Sequence, residues 1–442
     1  MYALRLPLDA TLEATLAALP AGGRFCLDGL REHPEGRWTF FGAEPEEVLR
    51  VGFGEPVLEA LEGLAGVGDD GLDGDPVPLS ASSIPRWVGF VAYDAAWSEP
   101  RAFGLRTPPR LTRDPRWPVV WLGRYERLVA VDLTTGTAWA LGPDRRACEA
   151  LRERLAHPGR IAPASFGPVE SEAAEVHRGR IERALEAIGH GELYQVNLAR
   201  AWRAELRGEP LALWAAMRRA SPVPLGAFVE LDAGAVVCRT MERFLRWDRG
   251  ARRLWTSPIK GTIERAGDDA GEARRLAADD KERAEHSMIV DLMRNDLSRV
   301  AEVGSVRVEA PLRVEPYAGL SHLVSTVECA TRPRTTVRDV LEATFPPGSV
   351  TGTPKLAAME HIEREEAAAR GVYTGALGYV DRGGGLSLAV AIRAAIVDSR
   401  ITYFAGGGLV SASDPDREIA ETELKAKVFF DALEGSSSNK ID

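Results

Sequence analysis

A chain of 442 residues, 45% hydrophobic and 27% charged, is long enough for one large body of mixed strands and helices or for about two or three domains. Its net charge of -10, without clustered Lys and Arg, excludes a general nucleic-acid binder, because phosphate backbones are held by grouped cations. No apolar run of about 18 residues offers a membrane span, and Asp9 and Glu13 interrupt the stretch where a secretion signal needs an apolar core, so a cytoplasmic protein is expected.

The first 155 or so residues read as short strands alternating with helices. Leu12, Leu16 and Leu19 mark one helical face, while Arg37–Phe41 and Arg86–Tyr93 read as Trp-containing strands that suit a core better than a ligand cage. Gly66–Pro78, rich in Gly and Asp, reads as a surface loop. A Pro/Gly connection at Pro158–Pro168 marks the boundary between an N-terminal region, 1–165, that packs on the core and a catalytic region, 166–442. Cys26, Cys148, Cys238 and Cys329 have no C-x-x-C spacing, which fits reduced, buried thiols. None lies in a G-x-C-x-G context, so no glutaminase nucleophile is present in the sequence.

Beyond the boundary, Ile181, Leu185 and Ile188 form a helical stripe that Gly189 and Gly191 end. The strand at Tyr194–Leu198 turns Gln195 and Asn197 to one face, either lining a polar pocket or facing water. A hairpin follows, with Met241–Trp247 as one arm, Asp248–Gly250 as the turn and Leu254–Thr262 as the other arm. Counting from that turn brings Glu242 near the residues just before Lys260, an arrangement open to an ion pair or to an acid beside a nucleophile. Lys260 sits in Ser257-Pro258-Ile259-Lys260-Gly261-Thr262, where a proline and a glycine restrain the chain on either side, so its amine is either a turn cation or a placed reactant. Asp268–Val300 reads as one long charged helix carrying Glu282 and Glu285 three apart, and a last helix carries Glu418 and Glu421, with Lys425 following. Such pairs are either solvated faces or carboxylates for a magnesium ion shared with an anionic substrate. The run Gly406-Gly407-Gly408 reads as a turn after a strand, with N–H groups able to hold a carboxylate, and Arg393 stands ready for a second grip. Phe345–Lys355 fails as a phosphate loop, since Thr353 and Pro354 separate Gly352 from Lys355. The strands from Tyr373 to Val410 read as one meander, giving an α+β fold with two large antiparallel sheets packed as a sandwich and helices outside.

Taken in order, Glu192–Leu198, Pro258–Thr262, Lys281–Val300, Phe345–Lys355, Ala391–Arg393 and Gly406–Lys425 resemble the chorismate-utilising enzymes, among them the component I subunits of anthranilate and aminodeoxychorismate synthase and the isochorismate and salicylate synthases. The resemblance covers roughly the last 260 residues and implies a two-lobed fold. Gln195 with Lys260 resembles the aminodeoxychorismate-forming branch, which implies amination of chorismate with ammonia from a separate glutamine amidotransferase subunit, for 4-aminobenzoate and folate. It further implies Lys260 as nucleophile and Glu242 as acid, with Glu285 and Glu421 on Mg2+ and Glu282 and Glu418 in support. Arg393, Tyr373 and the amides of Gly407 and Gly408 would hold the pyruvyl carboxylate, and His322 and Thr351 would line the ring pocket, with Gln195, Thr262 and Lys425 also on the substrate. Anthranilate formation, or a subunit that binds chorismate without turnover, are the rival expectations. Against the family pattern, Thr240-Met241 stand where Ser-Pro is usual before the acid, and Ser257 replaces an arginine.

Overall fold

The computed structural model describes residues 1–68, 71–264, 269–316 and 320–437. Among them, strands form two sheets, of 14 and 10 strands. Among the described residues pairing is antiparallel except for the short parallel register of Tyr2 with Asp73 and Ala3 with Gly74. In the larger sheet Gln195–Arg207 lies beside Arg400–Leu409, then Ala394–Val397, Gly234–Thr240, Leu225–Leu231 and Phe25–Asp28. In the smaller, Ile259–Glu264 lies beside Leu320–Ala330, then Arg253–Ser257, Arg243–Asp248, Leu386–Val390, Ala376–Asp381 and Pro85–Val91.

Alternation explains the layering. Val229 and Val236 from the larger sheet share one buried cluster with Phe244, Leu245, Leu377 and Leu388 from the smaller. The opposite face of the larger sheet presents Trp202, Ala204 and Tyr403 to the helices Pro210–Ala220 and Pro415–Ser437, through Trp214, Met217 and Phe429. Each sheet therefore buries both faces over much of its area, and helices form the outer layer.

Three details differ from the sequence reading. The expected single helix over Asp268–Val300 is two, Asp269–Ala278 and Asp280–Ser298, because Asp279 turns out of the helix and its carboxylate accepts the Glu282 N–H at 3.0 Å as an N-cap; Asp268 itself lies outside the described residues. The expected meander from Tyr373 divides: Ala376–Asp381 and Leu386–Val390 belong to the smaller sheet, Ala394–Val397 and Arg400–Leu409 to the larger. The expected glycine turn is strand, with Gly406, Gly407 and Gly408 opposite Ala199, Leu198 and Asn197. Strands on both sides of residue 165 share both sheets: Gly226 faces Asp28, and Ala376 faces Val91.

Candidate active site

Two of the points at which the chain passes from one sheet to the other, Met241–Glu242 and Ala391–Arg393, are neighbours. The Val390 N–H donates to the Glu242 carbonyl at 3.0 Å and the Arg239 N–H to the Arg393 carbonyl at 3.1 Å, so the two crossings are stitched together. Arg393 takes φ +50°, a left-handed conformation uncommon for a side chain of its size, where the strand changes sheet. Burial pulls its guanidinium below the usual range, and among the described residues it has no carboxylate partner. At the other crossing the Thr240 hydroxyl accepts the Glu242 N–H at 3.2 Å, and Met241 packs on Val223 and Ile259, so the unusual Thr-Met pair has a structural place.

Glu242 is 5% exposed. Burial raises its carboxyl to about 7, against the opposing pull of the Ser349 hydroxyl, Lys260, the Ile259 N–H and Lys425. Ser349 Oγ donates to Glu242 Oε1 at 2.5 Å. The hairpin register, Arg243 opposite Ser257, sets Glu242 beside Pro258 and two residues from Lys260, as the turn count requires.

The glycine strand explains how both sheets reach one point. A Cβ on Gly408 would stand 2.8 Å from Asn197 Oδ1 and 3.0 Å from both Gln195 Nε2 and Lys260 Nζ. Lys260 of the smaller sheet and Gln195 of the larger thus converge where Gly408 leaves room. Gln195 is fully buried, and among the described residues neither its Oε1 nor its Nε2 has a hydrogen-bond partner, an orphaned amide at the floor of the site. Ladder geometry decides which glycine amides are available. The Asn197 and Ala199 N–H groups donate away from the glycine strand, to Thr351 O and Glu366 Oε1, so Gly408 and Gly406 opposite them also face away, while Gly407 bonds into the ladder. Of the two amides expected to grip a carboxylate, Gly408 faces outward and Gly407 does not.

Four carboxylates surround this floor. Glu285 Oε2 is 3.2 Å from Lys260 Nζ, with the lysine side chain 23% exposed rather than fully enclosed. Glu282 Oε2 would be 3.0 Å from a Cβ on Gly261, and Glu418 Oε2 2.9 Å from one on Gly407. Glu418 accepts from Ser413 Oγ at 2.7 Å, and burial together with the Glu421 charge raises its pKa. Glu421 pairs with Lys425 at 2.7 Å, and Lys425 also donates to the Gly406 carbonyl at 3.0 Å. Among the described residues no three His, Cys, Asp or Glu side chains gather closely enough to hold a metal unaided. An oxygen-only set in two pairs, each beside a glycine cradle, fits a hard cation that shares one or two carboxylates with an anionic ligand.

The remaining expected residues lie around this centre. His322, buried, has Nδ1 3.2 Å from the Gly261 carbonyl; desolvation lowers its pKa to about 4, so the neutral ring donates there and turns Nε2 out as an acceptor. Thr262 pairs with His322 through its backbone, and its side chain lies outside the described residues. Tyr373 is buried, stacks on Phe404 at 5.3 Å and lies under Arg370. Thr351 turns its hydroxyl inward to the Pro347 and Gly348 carbonyls, at 3.2 and 3.1 Å, and is fully buried.

Three further residues gain their partners only in the structure. Asn197 donates to the Ser349 carbonyl at 3.1 Å, which ties Gln195's strand to the acid's loop. His286 Nε2 lies 2.7 Å from Ser325 Oγ, pinning the helix beside Glu285 onto the smaller sheet, and burial lowers its pKa to about 4. Ser349, its hydroxyl on the acid, is the third. The Ala284-Glu285-His286 triplet and the Phe345–Lys355 stretch are visible in the sequence, but only folding supplies their partners.

The model for chorismate binding enzymes matches residues 31–431. Anthranilate synthase component 1 of Aquifex aeolicus is 40% identical over 258 residues, 58% of this chain and 52% of that protein, so this match spans about half the relative's length. Aminodeoxychorismate synthase component 1 of Escherichia coli is 32% identical over 92% of this chain and 92% of that protein. The crystal structure of anthranilate synthase component I from Streptococcus pneumoniae superposes with a TM-score of 0.75 at 27% identity, covering 90% of this chain and 93% of that one. With the two-sheet fold and the convergence at Gly408, these likenesses lead to one conclusion: the chain belongs to the chorismate binding enzyme family.

Proposed function

We propose that the protein aminates chorismate, converting chorismate and ammonia to 4-amino-4-deoxychorismate through a covalent bond to Lys260. The observation that carries this reading is the meeting of Lys260 Nζ and the orphaned Gln195 amide at one glycine floor, with the buried Glu242 carboxyl in the electrostatic reach of Lys260. The Lys260 amine bonds to C2 as the ring double bonds shift and the C4–O bond breaks; Glu242 gives its proton to the departing hydroxyl, which leaves as water. Ammonia then bonds at C4, the double bonds shift back and Lys260 leaves as the free amine, while the proton shed by the new C4 ammonium restores Glu242. Gln195 has two unmet hydrogen-bonding atoms to orient polar groups, and Arg393 with the Gly408 N–H offers charge-assisted donors for a carboxylate. Glu285 and Glu421 would ligate Mg2+ with Glu282 and Glu418 behind them, and the bound ion would supply positive charge opposite the ring carboxylate.

Ammonia would come from a separate glutamine amidotransferase, a reading supported by the name "component 1" carried by relatives. The four cysteines are free and buried, which suits work in the cytoplasm. Among the described residues no helix is long and apolar enough to cross a membrane.

Anthranilate formation is the second reading, because the 40% identical Aquifex relative and the superposing Streptococcus structure carry that name. Mass analysis of the product from chorismate, Mg2+ and ammonium separates the two, since anthranilate has lost the enolpyruvyl group and aminodeoxychorismate retains it. With ammonia withheld, intact-protein mass spectrometry should reveal a chorismate-derived adduct on Lys260. Absence of an adduct, with Lys260→Ala still making aminodeoxychorismate, removes the covalent route.

A further inference from the structure

Ser349 has no role in the chemistry above, yet its hydroxyl is aimed at the acid. It sits in the short turn Gly348–Val350, which is braced from several sides. The Thr351 hydroxyl bonds to the Pro347 and Gly348 carbonyls, and Arg370 Nη1 donates to the Val350 carbonyl at 3.1 Å. Lys355 Nζ donates to the Thr344 and Pro346 carbonyls and to Asp296, at 2.8, 3.0 and 2.5 Å. Asn197 holds the carbonyl of Ser349 itself. A hydroxyl carried on so many ties is pre-positioned, so its bond to Glu242 Oε1 is formed with little further loss of freedom.

We propose that Ser349 is the positioning residue for the acid: by donating to Glu242 Oε1 it leaves Oε2 as the oxygen that carries and delivers the transferred proton. This rests on Glu242 acting as the acid in the amination. A serine hydroxyl has one hydrogen, and because a protonated carboxyl accepts best at its carbonyl oxygen, the bond to Oε1 favours the acid proton on Oε2. During transfer the Oε2–H bond breaks, the proton joins the departing hydroxyl to form water, and the new carboxylate is stabilised by the same Ser349 hydrogen bond. Ser349 thus fixes the donor atom before the step and supports the charge after it.

The test uses Ser349→Ala and Ser349→Thr in the full chain. The charged groups facing Glu242 are Lys260 and Lys425, unchanged in both variants. Loss of the hydroxyl should lower kcat about tenfold to a hundredfold with little change in KM, and move the descending limb of the kcat–pH profile to higher pH. Threonine, which keeps the hydroxyl, should restore both. A kcat and pH limb in the alanine variant equal to the wild type, or a threonine variant as slow as alanine, overturns the proposal. A second readout needs no turnover: in protein carrying 13C-labelled glutamate carboxyls, the resonance lost in Glu242→Gln should titrate at higher pH in Ser349→Ala. An unmoved titration overturns the proposal even in an active enzyme. A shifted titration in a protein that makes no aminated product supports the Ser349–Glu242 link and places the failure with the amination reading instead.

Discussion

At the scale of single residues, Glu242 trades stability for chemistry. Its carboxyl is raised to about 7 in the fold, against about 4.3 for an unperturbed glutamate. The folded state therefore holds the proton more tightly than the unfolded chain. That preference is neutral below about pH 4 and becomes a penalty as pH rises toward 7, reaching about 4 kcal/mol above it. Glu242→Gln, which cannot ionise, should lower amination at least about a hundredfold and raise the melting temperature at pH 8 but not at pH 4. Equal melting shifts at the two pH values would mean that the carboxyl ionises freely in the fold. In the wild type, kcat/KM should fall above about pH 7, as the protonated acid is lost. Glu242's neighbourhood to Lys260 was legible because a hairpin register can be counted from its turn. The Ser349 contact was not, since 107 residues separate the partners.

At the scale of elements, the glycine strand Arg400–Leu409 shows where local propensity misleads. Glycine is depleted in strands, so three in a row read as a turn. Here the ladder with Gln195–Arg207 continues through them, and their missing side chains form the floor of the site. The same crowding ranks two substitutions. At Gly408 an added methyl meets Asn197 Oδ1, Gln195 Nε2 and Lys260 Nζ together, and the reacting amine must move. At Gly407 it meets only the Glu418 carboxylate, the end of a flexible side chain. Gly408→Ala should cut kcat/KM about a hundredfold, and Gly407→Ala by less than about tenfold, each with a melting temperature near that of the wild type. Matching losses of kcat/KM in the two variants would sink this account of the floor. The break at Asp279 was equally hard to see, because a capping aspartate within a charged run resembles its neighbours; only the paired spacings Glu282–Glu285 and Glu418–Glu421 stood out.

At the scale of the whole molecule, helical stripes, turns and the family motifs were readable, whereas strand order was not, because it is set by contacts between distant segments. The Pro/Gly stretch at 158–168 looked like a boundary, yet strands from before it complete both sheets. Leu225–Leu231 takes hydrogen bonds from Phe25–Asp28 on one side and Gly234–Thr240 on the other, and Ala376–Asp381 lies between Pro85–Val91 and Leu386–Val390. Buried Arg239 and Asp28, bonded at 2.6 and 2.8 Å, add a charged tie between the two regions. Removing residues 1–165 would bare an apolar edge in each sheet and leave Arg239 without its carboxylate, a break in a buried pair worth about 3–5 kcal/mol by itself. The fragment 166–442 is therefore expected to aggregate or to lack a cooperative urea transition, while the full chain unfolds in one step in which near-ultraviolet and far-ultraviolet circular dichroism coincide. Co-expression with 1–165 should recover a soluble complex, since the missing strands can pair in trans. A fragment 166–442 that unfolds cooperatively at the midpoint of the full chain would show that the shared strands contribute nothing to the stability of the catalytic half.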